Sequence, residues 1–439
     1  MKIGLLHFRV GETDGVSLEM EKWKTVLQKM GHEVHYIAGT LGEEKGYRVP
    51  LLAYNEARNL KIKKLAFESL LSYDEEYLRN LILELKLDIR SQLNSLPKFD
   101  LIVVNNVWSL PHNLSAAIAI YEYVKDNEIK IVGHHHDFYF ERDYYRNPTS
   151  KFIVDILNSY FPPRDMIHVT INSIAQKALK TVKHLESYVV PNVFDFERKL
   201  WEKDAYNSKI PEILSIKKND IVFLQATRVV RRKAIEMAVD VLKELNLIKS
   251  SYYGMKTATG KLIDKNSRFV ILLPGLQEEP SYTDLIVKHA KLNNVELVFA
   301  SKFCTTDRSE RNGTFSLWDF YAISDFVTYP SVKEGFGNQF LEAVFAKKPI
   351  LIFEYPVYSS DIKKVGFKVV SLGDKTIFSN GLFEVEKEIT KSCAKEIMSI
   401  LTDKKKYFSL VESNFKIGKE NFSYEVLSNI LKTVVKNIR

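Results

Sequence analysis

The sequence predicts an α/β protein made of two doubly wound domains in tandem, each a parallel sheet covered by helices. Three observations predict it. Short runs that are apolar on both faces alternate with amphipathic stretches, as fully covered strands and their covering helices do. The alternation occurs twice, with a mixed, polar stretch at residues 194–214 between the two series. The chain has 439 residues, room for roughly two to four packing units.

The first series opens with residues 2–8, a buried strand. Ser17 stands where a helix N-cap belongs, and the helix runs to about Met30 with Gly31 at the C-terminal cap. Strands follow at residues 33–38, 101–105, 130–133 and 167–171, each leading into a helical pattern. Residues 54–95 are long, charged and helical, and read as an insertion or helical cap. The second series has strands at residues 220–226, 269–273, 295–300, 325–330 and 349–353, with helices between them at, for example, 233–246 and 338–347. From about residue 386 the chain is helical without strands. The domain boundary is placed in the polar stretch, giving domains 1–205 and 206–421.

Composition bounds the function. Lys plus Arg is 63 against 55 for Asp plus Glu, a balance of +8, which fits an anionic ligand, an acidic membrane surface or nucleic acid. No helix-turn-helix, zinc-finger or RNP signature is present, so nucleic acid is not expected. Only Cys304 and Cys393 occur. That excludes a disulfide scaffold or thiolate metal cage and suits a reducing, cytoplasmic setting. No apolar run of about 18 residues exists, so no spanning helix is expected. Lys61, Lys63 and Lys64 beside Leu60, Ile62 and Leu65 would suit peripheral contact with anionic lipid; a solvated amphipathic helix is the preferred reading.

Five segments carry candidate chemistry. At residues 329–343 a strand end is followed by Glu334, then Gly335 and Gly337 around Phe336, then a helix from Asn338. The glycines permit positive φ and close approach of a ligand, and the helix N–H groups favour phosphate. Glu334 and Glu342 could accept hydrogen bonds from sugar hydroxyls. A plain strand–loop–helix with surface carboxylates is the alternative. Phe340 stands where a dinucleotide fingerprint needs its third glycine. The basic run around Arg228, Arg231, Arg232 and Lys233 supplies charge where a departing diphosphate needs it, or is a solvated face. Residues 133–138 place His134, His135 and His136 before Asp137. Adjacent strand residues point to opposite faces, so all three cannot ligate one ion, and no metal is expected. Residues 11–17 form a βα turn with Asp14 and Gly15 near its tip. Residues 136–146 mix aromatics, which stack on sugars, with Arg142 and Arg146, which suit carboxylate or phosphate; an amphipathic surface loop is the alternative.

Together these segments resemble the retaining GT-B glycosyltransferases of family four, which have two Rossmann-like domains facing a central cleft. The resemblance implies that Glu334 contacts the donor sugar and that Glu342 binds the nucleotide ribose. It implies that the backbone of Gly335, Phe336, Gly337 and Asn338 holds the pyrophosphate. Arg228 and Lys233 would lie on the donor diphosphate, His136 near the donor sugar, and Gly15 near the donor phosphate. Asp14, Asp137, Arg142 and Arg146 are the acceptor candidates. The final helix, 422–439, would cross back to the first domain. The chain departs from the pattern at Thr227, where glycine is usual, at the single Gly15, where two are common, and at residues 191–195, which lack the glycine of Pro-Asn-Gly-Val-Asp.

The resemblance further implies metal-independent transfer of a hexose from a nucleotide diphosphate sugar, GDP-mannose or UDP-glucose in type, with retained configuration. The nucleotide sugar is a co-substrate; no cofactor is expected. The runs at 14–19, 136–142 and 334–338 are similar to a subgroup that includes mannosylglucosylglycerate-type synthases, which make small anionic compatible solutes. A small, anionic, glycerate-linked acceptor would match the two arginines. A same-fold nucleotide-sugar epimerase or phosphorylase, or a membrane-associated transferase acting on a lipid-linked glycan, stands as the alternative.

Overall fold

The computed structural model describes residues 1–11, 14–71 and 74–437. It divides into two units, Met1–Val193 with Tyr424–Arg439, and Phe194–Ser423.

The first unit carries β1 (Lys2–Arg9), α1 (Gly15–Lys29), β2 (Glu33–Thr40), β3 (Gly46–Arg48), α2 (Ala57–Phe67), α3 (Asp74–Asn94), β4 (Leu101–Asn105), α4 (Leu114–Asp126), β5 (Lys130–His135), α5 (Lys151–Tyr160), β6 (Ile167–Thr170), α6 (Ser173–Lys183) and β7 (Tyr188–Val189). Its seven strands lie in the order β3-β2-β1-β4-β5-β6-β7, with every described pairing parallel. The order reverses between β1 and β4, which pair from Ile3–Leu101 to Leu6–Val104. Loops leaving such a reversal at the carboxyl ends diverge to opposite faces and leave a crevice.

One correction to the sequence reading falls in this unit. The N-cap of α1 is Asp14, not Ser17: its side chain accepts from the N–H groups of Val16 and Ser17. Both residues suit a cap, and the one that precedes the helix takes the role. Residues 54–95 stand between β3 and β4, as an insertion does, and they pack into the core of the unit. Ile62 of α2 and Leu78, Leu85 and Ile89 of α3 are fully buried, in one core with Ile102, Trp108 and Ile120.

The second unit carries the short α7 (Ile210–Ile213), then β8 (Ile221–Leu224), α8 (Ile235–Ile248), β9 (Phe269–Leu273), α9 (Pro280–Leu292), β10 (Glu296–Phe299), the short pair β11 (Cys304–Thr305) and β12 (Phe315–Ser316), α10 (Leu317–Ile323), β13 (Phe326–Tyr329), α11 (Asn338–Phe345), β14 (Ile350–Ile352), β15 (Val370–Ser371), the hairpin β16 (Ile377–Ser379) and β17 (Leu382–Glu384), α12 (Lys387–Thr402) and α13 (Lys404–Phe422). Six strands form its main sheet in the order β10-β9-β8-β13-β14-β15, again parallel, and the order reverses between β8 and β13.

The chain passes from one unit to the other directly after Val193, not at residue 205. Aromatic packing is the reason. Phe194 lies 4.9 Å from Phe345 by ring centroids, Phe196 lies 5.4 Å from Phe415, and Trp201 stacks on Trp318 at 3.6 Å. The last helix, α14 (Tyr424–Lys436), belongs to the first unit. Its Leu427, Leu431 and Val434 join Met20, Trp23 and Leu27 of α1 in one core. Among the described residues no helix is long and apolar enough to cross a membrane.

Candidate active site

In the second unit the candidate residues gather where β8 and β13, the strands at the reversal, end side by side. Parallel pairing sets Phe326 against Phe223 and Val327 against Leu224, so the loops after Leu224 and Tyr329 leave the same edge. From the first loop, Lys233 forms an ion pair with Glu334 of the second. Arg232 Nη1 donates to the other Glu334 oxygen at 2.9 Å and to the Lys333 carbonyl at 2.9 Å. Lys233 and Glu334 are nearly buried, at 4% and 9% side-chain exposure. Burial opposes the Glu334 charge, but Lys233 and then Arg232 outweigh it and hold the carboxyl below its usual range. Burial is also the leading influence on Lys233, pulling its ammonium below the ordinary lysine range against the attraction of Glu334.

The loop that follows is shaped by one tight glycine. Gly337 has φ of +134°, and a Cβ there would lie 2.2 Å from the Tyr355 hydroxyl. That hydroxyl donates to the Phe336 carbonyl at 2.7 Å. The Phe336 side chain points inward, 2% exposed and against Phe422, so a ligand meets this residue only at its backbone. Asn338 begins α11. One turn on, Glu342 is buried and its Oε2 accepts from the Tyr321 hydroxyl at 3.1 Å. Arg228 stands apart from the Glu334 pair. It is half-exposed, and its Nη1 donates to both oxygens of Glu278, at 3.0 and 2.8 Å. Gly275, after β9, has backbone of the 227–228 loop so close that a Cβ would lie 1.9 Å from the Thr227 carbonyl oxygen.

In the first unit the candidates gather at the ends of β1, β4 and β5. Asn106, with φ of +58°, clamps the residues after β5. Its Oδ1 accepts from the His136 N–H at 2.9 Å and its Nδ2 donates to Asp137 at 3.0 Å. The histidines separate as strand alternation requires. His134 stacks on Trp23 at 4.5 Å and bonds Asn105, while His135 contacts Ser109 and His168. Burial is the leading cause that holds His134 and His135 far below the usual imidazole range and lowers His136 to about 4. His7, bonded through Nδ1 to the Asn105 carbonyl at 2.7 Å, is likewise lowered by burial to about 4. These imidazoles are neutral at neutral pH. Among the described residues no group of three or more His, Cys, Asp or Glu converges as metal ligands would.

The acceptor candidates fare unequally. Asp14 spends its carboxylate on the cap of α1: Oδ1 accepts from Val16 and Ser17 N–H, and Oδ2 from Ser17 Oγ at 2.7 Å. Arg9 lies 3.4 Å from that Oδ2. Gly15 opens α1, exposed and with open space where a side chain would be. Glu12 and Thr13, in the same loop, lie outside the described residues. Arg142 grips Asp137 through Nε, at 2.8 Å, and Nη2. Arg146 is exposed and pairs with the still more exposed Asp143; no described contact joins it to the His136 group.

Residues that the sequence did not single out complete both clusters: Asn106, Tyr355, Tyr321 and Glu278. Asn106 alone carried a local signal, because a polar Asn-Asn pair ends an apolar strand. The other three act on partners 19 or more residues away, which no local pattern reveals.

No protein-family model matches the chain. Among characterised proteins it is 48% identical over 422 residues to mannosylglucosylglycerate synthase of Petrotoga mobilis, covering 96% of this chain and 98% of that one. It is 40% identical over 441 residues to mannosylglucosylglycerate synthase of Thermotoga maritima, covering 99% and 100%. Among solved structures it is similar to a glycosyltransferase of Rickettsia africae, with 13% identity, TM-score 0.59, and 100% and 98% coverage. It is also similar to Anabaena HepE in complex with UDP and glucose, with 13% identity, TM-score 0.58 and full coverage of both chains. At that identity the structural likeness speaks for the fold.

Proposed function

The chain belongs to the mannosylglucosylglycerate synthase family, and from that premise we propose that it transfers mannose from GDP-mannose to a hydroxyl of glucosylglycerate, with retained configuration and without a metal. It is a glycosyltransferase of GT-B fold that uses a nucleotide sugar. The observation that carries the finer reading is Glu334, held charged at the β13 edge by Lys233 and Arg232.

In this reading the second unit binds the donor. Lys233 and Arg228 face the diphosphate, with the backbone N–H groups around Gly337 and Asn338. Glu342 takes the ribose hydroxyls. Glu334 accepts from hydroxyls of the transferred sugar. As the C1–O bond to the phosphate breaks, negative charge grows on the leaving oxygen, and a prepositioned ammonium and N–H groups stabilise it there. The new bond joins C1 to the acceptor oxygen, whose proton passes to the departing phosphate. His136, neutral and fixed by Asn106, orients hydroxyls rather than supplying charge. Positive side chains and amides take the role that a divalent ion would otherwise fill, and this is why EDTA is expected to leave turnover in place. Both cysteines are free thiols, in keeping with action in the cytoplasm.

The test is direct. Purified protein is given GDP-mannose, UDP-glucose and other nucleotide sugars with glucosylglycerate, and the product's anomeric proton is read by NMR. Mannosyl transfer with the donor's configuration is expected. An inverted product, hydrolysis or epimerisation of the donor without transfer, or a turnover abolished by EDTA and restored by a divalent ion, would each sink part of the proposal.

A further inference from the structure

We propose that Lys63, beside Arg142, is the receptor for the acceptor's carboxylate, an anion subsite on the aromatic floor of the first unit. The inference rests on the reading that the acceptor carries a glycerate group.

The sequence groups Lys63 with Lys61 and Lys64 as a basic face of one helix. In the structure the three part company. Lys61 Nζ hydrogen-bonds the Tyr77 hydroxyl at 2.7 Å, and Lys64 is exposed. Lys63 turns over the rings of Tyr144 and Tyr145, its Nζ 5.0 and 5.8 Å from their centroids. It is half-buried, and burial lowers its pKa below the ordinary lysine value. Among the described residues no carboxylate or other acceptor pairs with this ammonium. Glu68, whose charge acts on it, accepts instead from the Tyr144 hydroxyl at 3.0 Å.

An ammonium drawn partly out of water, over ring faces and beside another cation, gains most from a ligand anion. The surroundings point the same way. The Tyr145 hydroxyl bonds His112 Nδ1 at 2.7 Å. Burial holds His112 at about 3, and the positive fields of Lys63 and Arg142 add to the effect, so both cations bear on one spot. Next along the floor is Tyr54, 6.0 Å from His112 by centroids, with Arg9 stacked on it at 5.3 Å. Of the three cations around this floor, Arg9 lies against Asp14 and Arg142 is matched to Asp137. Lys63 is the positive charge left over. A sugar ring over the tyrosines with its carboxylate on Lys63 satisfies both chemistries at once. The floor also adjoins the β1 and β4 ends that hold His7 and Asn106: Phe8 packs on Tyr54 and His112.

The test compares glucosylglycerate with glucosylglycerol, which has a hydroxymethyl group in place of the carboxylate. Binding of each is measured by calorimetry with GDP present, on the parent protein, Lys63→Gln and Lys63→Arg. The parent should prefer the carboxylate by about tenfold or more, the scale of one charge-assisted contact. Lys63→Gln should lose that preference and Lys63→Arg should keep it, with all three melting alike. Equal binding of the two ligands by the parent, or a preference that survives Lys63→Gln, would overturn the subsite. Binding does not depend on turnover. A parent that binds glucosylglycerate selectively through Lys63 yet transfers no hexose would refute the proposed reaction and still support the subsite.

Discussion

At the carboxyl end of the first sheet the buried ionisable groups are kept neutral, while at the carboxyl end of the second they are kept charged. The two sheets share a winding and a reversal of strand order, so architecture does not account for the contrast. Partners do. His7, His134 and His135 have hydrogen-bond partners that are neutral amides, hydroxyls or other imidazoles, and desolvation discharges them, as it does His136 against the opposing fields of Asp137 and Asp14. Lys233 and Glu334 are as deeply placed, but each has the other, and Arg232 adds a third charge. A neutral, fixed imidazole suits recognition of hydroxyls, whereas a paired cation can be turned toward a phosphate as its charge grows. In the proposed reaction, the same backbone plan would separate recognition from charge management by what is placed beside each buried group.

The largest expected effect breaks the charged side. Lys233→Ala should cut kcat at least ~100-fold, the scale of losing one prepositioned donor to a developing oxyanion, with a melting temperature that also falls because Glu334 is left buried beside Arg232 alone. Steady-state kinetics on folded protein checks it. Near-normal turnover would remove Lys233 from the donor site.

Next is the turn whose amides would face the phosphate in the proposed reaction. Gly337→Ala places a Cβ 2.2 Å from the Tyr355 hydroxyl at a φ of +134°. The strain should cost about 2 kcal/mol of stability and weaken binding of the nucleoside diphosphate. The pairing of Gly337→Ala with Tyr355→Phe separates the two causes. The double variant still carries the strained φ but loses the clash, so thermal denaturation should recover in part.

The sequence made some of this legible. β8, β9 and β13 lie within one or two residues of where two-sided apolar runs placed them, because a strand covered on both faces leaves that mark whatever its partners. The loop from Glu334 to Asn338 was legible for a similar reason, since its glycines and helix start are local. The Tyr355–Phe336 bond, the Glu278–Arg228 pair and the Asn106 clamp were not, because each joins segments brought together by the sheet alone. The place where the chain changes unit is hidden in the sequence because residues 194–214 are polar on average, whereas Phe194 and Phe196 decide the matter by docking on Phe345 and Phe415. Lys63 shows the same limit. Its neighbours in sequence are solvated lysines, and its neighbours in space are tyrosines and an arginine.

The neutral side is tested by acid. His7, His136 and His168 have folded pKa values near 4, mainly through burial, against an unfolded value of about 6.5. Below pH 6.5 the unfolded chain binds protons that these folded imidazoles refuse, so their contribution lowers stability as pH drops and levels off below about pH 4. Each such histidine adds a slope of up to about 1.4 kcal/mol per pH unit in that window. Melting temperature followed from pH 7 to 4 should fall steeply, and His7→Gln should flatten the decline. A flat profile between pH 6.5 and 4 would mean that these imidazoles are not held neutral.

The smallest effect is expected at Arg146, and it sharpens the comparison because a loop position alone would have made this residue equal to Arg142. Both lie in the 136–146 segment, and both pair with an aspartate of that segment. Arg142 holds Asp137, which is tied through Asn106 to the His136 backbone. Arg146 holds Asp143, a side chain 89% exposed. An exposed pair three residues apart is worth under about 1 kcal/mol and is screened by salt. Arg146→Ala should therefore change kcat/KM for the acceptor by less than about threefold and leave its salt dependence as it was, whereas Arg142→Ala should raise the acceptor KM and loosen the Asp137 clamp. If Arg146→Ala proved the costlier change, the anion subsite would have to move outward along the segment, away from Lys63 and the tyrosine floor.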